Sequence, residues 1–317
     1  MMTIPPRSQS ILRIGTRGSQ LARWQAEWVA EQLRRDGQEV ELVEIATHGD
    51  IEPARWIEEI GTRGVFTKAI QRALLAGDVD LGVHSLKDLP TEPVEGLMLA
   101  AVPPRESPAD VLVSNTAASL ESLPNAARVG TGSLRRQAQL RHLRPDLQIR
   151  AIRGNVDTRL RKLDEGQLDA IVLAEAGLRR LGLTDRIAQV LPFDVMLPAV
   201  GQGALAIECR RDGATTQAKI SMLDDPATHG AVLAERALLA RLRGGCMAPV
   251  GALGRLDGDE LQLTAVVLSA DGARRLAACD VAHGIAAVDA EQLGIRVADA
   301  LLAQGAAELI SESRANS

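Results

Sequence analysis

The chain has 317 residues, of which 46% are hydrophobic and 24% are charged. This composition is that of an ordinary globular protein, and at ~100–200 residues per domain the length predicts two or three domains. Aromatic residues make up 2% of the chain, and the formal net charge is −5. Both values argue against a nucleic-acid-binding protein, which needs a basic surface or aromatic faces for base stacking.

The cysteines and the N-terminus indicate a reducing compartment. Cys209, Cys246 and Cys279 are widely spaced and the sequence contains no CxxC motif, which argues against a disulfide framework or a zinc site. The first ten residues contain no apolar signal core, and no apolar run approaches the length of a membrane span. We therefore expect a cytoplasmic protein that does not bind a membrane.

Strands and helices alternate along the first part of the chain. The predicted elements are a strand ILRIG, a helix LARWQAEWVAEQLRR, a strand VELVEIA, a helix FTKAIQRALLAG and a strand VDLGVHS. After a Pro-containing linker at 102–108, a second run follows with ARVG, SLRRQAQLRHL, IRAI, VDTRLRKLDEG and DAIVLA. Such alternation predicts an α/β fold with largely parallel sheets.

The pattern changes after residue 226. A long helix, HGAVLAERALLARLR, ends at two glycines and is followed by strands with DGDE and ADGA turns and by a final helix. This arrangement predicts a small α+β domain. We therefore predict three domains: residues 1–103 together with 204–223, residues 109–197, and residues 226–317.

Two predicted helix starts resemble each other, and one of them is a candidate anion site. Two strings, IGTRGSQLAR and VGTGSLRRQA, echo each other, and each passes from a strand through a Gly-Ser turn into a helix. In the second string Ser133 is predicted to be the N-cap, so free backbone N–H groups, Arg135 and Arg136 would lie near one another. This combination suits a carboxylate or a phosphate.

Two further positions carry reactive groups. Asp88 follows the strand VDLGVHS, where open α/β sheets place their ligand sites. It is a candidate acid/base or cation-stabilising group, or else one member of a solvated ion pair with Lys87. Cys246 follows Gly244-Gly245 on a loop with little steric cover, where a thiol can serve as a covalent anchor, whereas Cys209 and Cys279 are interpreted as packing residues.

Six strings in order resemble the porphobilinogen deaminase family. They are RIGTRGSQLARWQA, GVHSLKDLPTE, VGTGSLRRQAQL, IRGNVDTRL, LPAVGQGALAIECR and ERALLARLRGGCMAPVG. The resemblance covers roughly Leu12 to Leu309. It implies two domains that resemble those of type-II periplasmic binding proteins, followed by a small α+β domain that carries the cofactor cysteine.

The resemblance also implies a reaction. A dipyrromethane cofactor would be attached to Cys246 by a thioether, and four porphobilinogen molecules would be deaminated and joined to it head to tail, releasing hydroxymethylbilane. Asp88 would be the catalytic residue, and the enzyme would be monomeric. The implied binding residues for cofactor, porphobilinogen and growing oligopyrrole are Arg17, Ser19, Arg63, Ser85, Lys87, Thr131, Ser133, Arg135, Arg136, Arg153, Arg159, Arg180 and Gln202.

Two alternatives remain open at this point. A non-enzymatic two-domain receptor or sensor for a small anion would use the same arginines, but it leaves the third domain and the Gly-Gly-Cys loop without a purpose. A phosphoryl-binding transferase is the other alternative, although the sequence contains no P-loop Gly-Lys-Ser/Thr string.

Overall fold

The computed structural model describes residues 11–45, 65–245 and 248–315. Over these residues the chain forms two five-stranded sheets and one three-stranded sheet, all accompanied by helices. This arrangement confirms the predicted α/β fold with a small C-terminal α+β part.

The elements lie close to the predicted positions. The strands are β1 (Leu12–Thr16), β2 (Val40–Glu44), β3 (Leu81–Ser85), β4 (Leu97–Ala101), β5 (Asp110–Val113), β6 (Arg128–Gly130), β7 (Gln148–Arg150), β8 (Ala170–Ala174), β9 (Gln189–Val190), β10 (Leu205–Arg210), β11 (Val250–Asp257), β12 (Glu260–Leu268) and β13 (Arg275–His283). The helices are α1 (Gln20–Arg35), α2 (Val65–Ala76), α3 (Leu134–Leu143), α4 (Val156–Asp164), α5 (Glu175–Arg180), α6 (Ala214–Ile220), α7 (Pro226–Arg241), α8 (Ala287–Ala303) and α9 (Ala306–Ala315).

The two five-stranded sheets have the same plan. The first has the strand order β2-β1-β3-β10-β4, and the second has the order β7-β6-β8-β5-β9. The second strand in each order, β1 or β6, lies parallel to both of its neighbours. Antiparallel pairing occurs towards the opposite edge of each sheet. The echoing strings therefore occupy equivalent places, β1–α1 in the first sheet and β6–α3 in the second.

Serine side chains start the two equivalent helices. Ser19 Oγ accepts a hydrogen bond from the backbone N–H of Ala22 at 3.3 Å, and Ser133 Oγ accepts one from the backbone N–H of Arg136 at 3.5 Å. Each bond satisfies one of the N–H groups that a helix N-terminus leaves without an intrahelical partner. The predicted N-cap at Ser133 is confirmed.

The third sheet is an antiparallel meander, β11-β12-β13. It shares with α7, α8 and α9 a core of aliphatic side chains, as expected for a chain with few aromatic residues. Cys209 on β10 is buried, as predicted. The prediction that Cys279 is a packing residue is wrong, because β13 is an edge strand that exposes alternate side chains, Cys279 among them.

The turn between β12 and β13 docks against the C-terminal end of α3. Arg141 Nη1 donates to the carbonyl of Ala270 at 2.5 Å, and His142 Nδ1 lies 2.8 Å from the carbonyl of Gly272. Gly272 has a φ of +79°, and a Cβ there would lie 2.6 Å from the backbone nitrogen of His142. Both the conformation and the close approach therefore require glycine.

The described residues form two compact units. The first consists of the described parts of Met1–His84 with Pro93–Ala101 and Ala206–Asp224, and the second consists of Ser85–Glu92, Val102–Leu205 and the described parts of Asp225–Ser317. The second unit contains both the second and the third sheets, whereas the proposed boundaries of three domains remain a prediction. Among the described helices, none is both long and apolar enough to be a transmembrane segment.

Candidate functional site

A short turn after β3 holds the predicted catalytic carboxylate. Leu86–Asp88 form one 3-10 turn, and Leu86 anchors it, because its side chain is buried and its backbone N–H donates to the carbonyl of Ala204 at 3.0 Å. The two neighbouring charged side chains have different environments. Lys87 is half-buried, whereas Asp88 is exposed. The two members of the predicted Lys87–Asp88 pair are therefore not equally solvated, and the catalytic role of Asp88 stays a prediction.

A buried ion cluster lies in the same unit. Asp110, the first residue of β5, is completely buried, and its carboxylate accepts hydrogen bonds from two arginines of α3. Arg135 Nη1 lies 2.6 Å from Asp110 Oδ2, and Arg136 contacts Asp110 Oδ1 through Nη2 at 2.6 Å and through Nε at 2.9 Å. The guanidinium groups also donate to backbone carbonyls, Arg135 to Leu197 and Arg136 to Val172.

Gln202 connects this cluster to Lys87. Its Nε2 donates to Asp110 Oδ1 at 2.8 Å and to the carbonyl of Pro108 at 2.7 Å. Its Oε1 lies 3.4 Å from Lys87 Nζ and 3.5 Å from Arg136 Nη2. Four of the predicted binding residues therefore lie together: Lys87, Arg135, Arg136 and Gln202.

Burial and charge shift the pKa values in this cluster. Burial lowers the pKa of Lys87 to about 8, with Asp88 opposing the shift and Arg136 adding to it. Burial by itself would raise the pKa of Asp110, but Arg135 and Arg136 together hold that pKa well below its ordinary value. Burial also lowers the pKa of Arg135, against the attraction of Asp110.

The cluster has an excess of positive charge. Lys87, Arg135 and Arg136 are cationic at neutral pH. Among the described residues, Asp110 is the carboxylate that accepts hydrogen bonds from both arginines. Two positive charges therefore lack a buried counter-ion in the part of the chain that the structure describes. Buried charge is costly unless it is paired, so the arrangement favours an anionic ligand.

Other predicted residues surround the start of α3 and α4. Thr131 is buried, and its Oγ1 accepts a hydrogen bond from the backbone N–H of Ser133 at 3.2 Å. Arg153 is exposed between β7 and α4. Arg159 is half-buried and donates through Nε to the carbonyl of Gly154 at 2.8 Å. Burial lowers the pKa of Arg159, Arg136 adds to that effect, and Asp88 opposes it.

Arg180 has a different environment. It ends α5, its side chain is buried, and its Nη2 donates to the carbonyl of Gly203 at 2.7 Å. Burial lowers the pKa of Arg180 to about 10, with Glu106 opposing the shift. Arg180 thus contacts the backbone of the 201–203 segment, next to Gln202.

Four other predicted residues belong to the first unit or fall outside the described residues. Arg17 and Ser19 belong to the first unit, at the start of α1. Arg63 and Cys246 lie outside the described residues. The chain before Cys246 is described: α7 ends at Arg241, and Gly244 and Gly245 follow, as predicted for the end of this helix.

The first sheet also contains a buried carboxylate. Glu208 on β10 accepts from Gln71 Nε2 at 3.2 Å, and its Oε2 lies 3.0 Å from His84 Nε2. All three side chains are buried. His84 is therefore a core histidine of the first sheet.

Asp110 is the residue of this site that sequence reasoning missed. The signal was present, because Asp110 is a charged residue that begins the otherwise apolar strand DVLV, directly after Pro108 and Ala109. An ionised side chain is almost never fully buried unless it is paired. A single aspartate in such a position therefore indicates a buried partner, although its sequence position does not identify that partner.

The fold and the site together define a mixed α/β protein with a buried cluster of cations, an excess of positive charge and an exposed carboxylate. Two family models match the chain: "Porphobilinogen deaminase, dipyromethane cofactor binding domain" over residues 12–218 and "Porphobilinogen deaminase, C-terminal domain" over residues 230–303. The chain belongs to the porphobilinogen deaminase family, whose members are transferases of porphyrin biosynthesis.

Curated relatives agree over almost the full length. Porphobilinogen deaminase of Geobacter sulfurreducens is 49% identical over 305 residues, covering 95% of this chain and 94% of the relative. That of Pelotomaculum thermopropionicum is 47% identical over 305 residues, covering 96% of this chain and 97% of the relative.

Solved structures give weaker matches. A putative methionine-binding lipoprotein of Bacillus subtilis aligns with a TM-score of 0.42 at 13% identity, covering 68% of this chain and 90% of the other. A nutrient-binding protein of Burkholderia cenocepacia, bound to methionine, aligns with a TM-score of 0.43 at 13% identity, covering 73% and 95%. With TM-scores below 0.5, these alignments do not bear on the assignment.

Proposed function

We propose that this chain deaminates four porphobilinogen molecules, with loss of four molecules of ammonia, and joins them head to tail on a dipyrromethane attached to Cys246 by a thioether. Hydrolysis then releases hydroxymethylbilane and leaves the dipyrromethane in place. The observation that carries the proposal is the excess of buried positive charge formed by Lys87, Arg135 and Arg136 near the exposed carboxylate of Asp88. Family membership supports the choice of substrate.

The chemistry of the donor set fits a dipyrromethane. Each pyrrole of the cofactor and of the chain built on it has an acetate and a propionate side chain, and guanidinium and ammonium groups are the side chains that bind carboxylates most strongly. The cationic side chains that would bind these carboxylates, on the cofactor and on the chain built on it, are Lys87, Arg135, Arg136, Arg153 and Arg159. When bound, the dipyrromethane supplies the terminal pyrrole carbon to which the first substrate is joined.

Asp88 would act on the substrate itself. Its exposed carboxylate can accept a hydrogen bond from a pyrrole N–H and stabilise the cation that porphobilinogen forms when ammonia leaves. A fixed carboxylate stabilises that charge more in the transition state than in the ground state, and this difference raises the rate. The same carboxylate can later accept the proton that the substituted pyrrole carbon loses.

The anchor is tested by the mass of the intact protein. The native protein should exceed its sequence mass by two linked pyrrole units, the excess should map to the peptide that contains Cys246, and Ehrlich's reagent should colour the protein. Cys246→Ser should lose the adduct and the conversion of porphobilinogen into hydroxymethylbilane. The matched controls Cys209→Ser and Cys279→Ser should keep both.

Two outcomes would contradict the proposal. A fully active protein without the added mass would exclude the thioether anchor at Cys246. A protein that binds small carboxylates but never consumes porphobilinogen would be the anion receptor considered above. We also propose that the protein is cytoplasmic and monomeric. Light scattering of the purified protein tests the monomer, which should give a single species with the mass of one chain.

A further inference from the structure

Asp110 satisfies both of its carboxylate oxygens within the protein. Oδ2 accepts from Arg135 Nη1, and Oδ1 accepts from Arg136 Nη2 and Nε and from Gln202 Nε2, all between 2.6 and 2.9 Å. Because the side chain is completely buried, it does not itself meet a solvent-borne substrate. Its effect on the site must pass through these three partners.

The backbone around Asp110 makes the arrangement rigid. Asp110 begins β5, which is hydrogen-bonded to β8 on one side and to β9 on the other. Arg136 bridges Asp110 and the carbonyl of Val172 on β8, while Arg135 bridges Asp110 and the carbonyl of Leu197. Each guanidinium is therefore held between a side chain and a backbone carbonyl, which leaves it little rotational freedom.

Gln202 transmits this order to Lys87. Its Nε2 is committed to the acceptors Asp110 and Pro108, so the amide cannot turn over without losing both bonds. Its Oε1 consequently faces Lys87 Nζ at 3.4 Å. Lys87 precedes Asp88, so the chain of contacts leads from the buried carboxylate to the turn that carries the proposed catalytic group.

One buried carboxylate orders three cations without neutralising them. A second carboxylate would cancel one of the two remaining positive charges, and without any carboxylate the cations would repel one another. We propose that Asp110 is a positioning residue, which holds Arg135, Arg136 and, through Gln202, Lys87 in the arrangement that receives the carboxylates of the bound pyrrole chain. The identity of that ligand rests on the proposed function.

The test compares Asp110→Asn with Asp169→Asn. Asp169 is a matched control, because it pairs with Arg128 in the same sheet but is only half-buried. If Asp110 positions the cations, Asp110→Asn should raise the KM for porphobilinogen about tenfold or more, as expected for a lost charged hydrogen bond. If it only offsets charge, the more positive site should bind the anionic substrate more tightly, and KM should fall.

A second readout needs neither substrate nor turnover. The sequence has four lysines, Lys68, Lys87, Lys162 and Lys219, so the 13Cε resonance of Lys87 can be assigned with a Lys87→Arg variant. Among the described residues, Asp88 and Asp110 raise the pKa of Lys87, whereas Arg135 and Arg136 lower it. Asp110→Asn should therefore move that pKa below about 8, and Asp169→Asn should leave it unchanged.

The outcomes separate the two proposals. If the native protein makes hydroxymethylbilane but folded Asp110→Asn has an unchanged or lower KM and an unchanged Lys87 titration, the positioning role is wrong and the proposed function stands. If the native protein does not consume porphobilinogen, the proposed function is wrong, and the Lys87 titration of Gln202→Met, which involves no charge change, still tests the positioning role. Should Asp110→Asn fail to fold, Gln202→Met breaks the same connection without a charge change. It should raise KM and lower the Lys87 pKa, and no change in either would contradict the proposal.

Discussion

The first and second sheets share a strand order, a Gly-Ser turn into a helix and a buried carboxylate on the fourth strand, but their buried polar groups differ. In the first sheet Glu208 contacts a neutral amide, Gln71, and an imidazole, His84. In the second sheet Asp110 contacts two guanidinium groups. The same architecture thus holds a carboxylate with little surrounding charge in one sheet and an excess of cations in the other.

The difference arises at two helix positions. In the first sheet the second and third residues after the Ser19 cap are Leu21 and Ala22, and in the second sheet those after the Ser133 cap are Arg135 and Arg136. Since the caps and the preceding strands are equivalent, the turn itself does not create the excess of cations. The arginines at the start of the helix do, together with the strand carboxylate that holds them.

The largest effect is expected in catalysis, where the exposed carboxylate of Asp88 contrasts with the buried carboxylate of the first sheet. Asp88→Asn keeps the shape of the side chain but removes its charge, so turnover should fall by roughly two to four orders of magnitude, the usual range for a positioned acid/base. Glu208→Gln makes the same charge change at the buried carboxylate of the first sheet and should keep turnover within a few-fold. Steady-state rates and thermal midpoints of both variants decide the matter, and near-normal turnover of folded Asp88→Asn would remove Asp88 from the mechanism.

A smaller effect should appear in the pH dependence of substrate binding. Lys87 is charged below its pKa of about 8, so the KM for porphobilinogen should rise about tenfold or more as the pH passes above 8, because a charged hydrogen bond is lost. Lys87→Arg keeps its charge and should abolish this rise. The same inflection in Lys87→Arg would assign the titration to another group.

The lowered pKa of Lys87 also makes the stability of the fold depend on pH. The folded pKa of Lys87 lies below the ordinary value of 10.5. The unfolded chain therefore binds more protons between about pH 8 and 10.5, and the contribution of Lys87 to stability rises with pH through that window. Lys87→Met should lose this rise in chemical denaturation, whereas variants in the first sheet should keep it.

The smallest effect concerns the equivalent caps. Ser19→Ala and Ser133→Ala each remove one hydrogen bond to a helix N-terminus. Each should lower the free energy of unfolding by about 1 kcal/mol, as urea titration measures. A clearly larger loss for Ser133→Ala would show that its cap also supports the ion cluster, and the two turns would then not be energetically equivalent.

Local signals predicted much of this molecule. Periodicity predicted the helices, and the Gly-Ser strings predicted both turns and the cap at Ser133, because these features depend on residues that are neighbours in the chain. The position of Asp88 after β3 was predicted for the same reason. The exposure of Cys279 was not, because small apolar residues occur on both faces of β13 and the sequence does not reveal which face packs on the core.

The ion cluster could be predicted only in part. Sequence reasoning placed Arg135 and Arg136 near an anion, but it did not identify Asp110 as their partner. Asp110 is 25 residues from Arg135 and 92 residues from Gln202. Their contacts exist because β5 lies beside β8 and because the 201–203 segment returns to it, and pairing at such separations is a property of the tertiary fold.

The docked turn at Gly272 limits where the protein can be extended. Loop tips usually tolerate insertions. At Gly258, between β11 and β12, an added Cβ would have no heavy atom within 4 Å. Gly272 lies against the backbone of His142, at the end of the helix whose start carries Arg135 and Arg136. A fluorescent tag or an inserted peptide at 258–259 should therefore leave the enzyme intact, whereas the same insertion at 271–272 would push on α3 and disturb the cationic cluster from its far end.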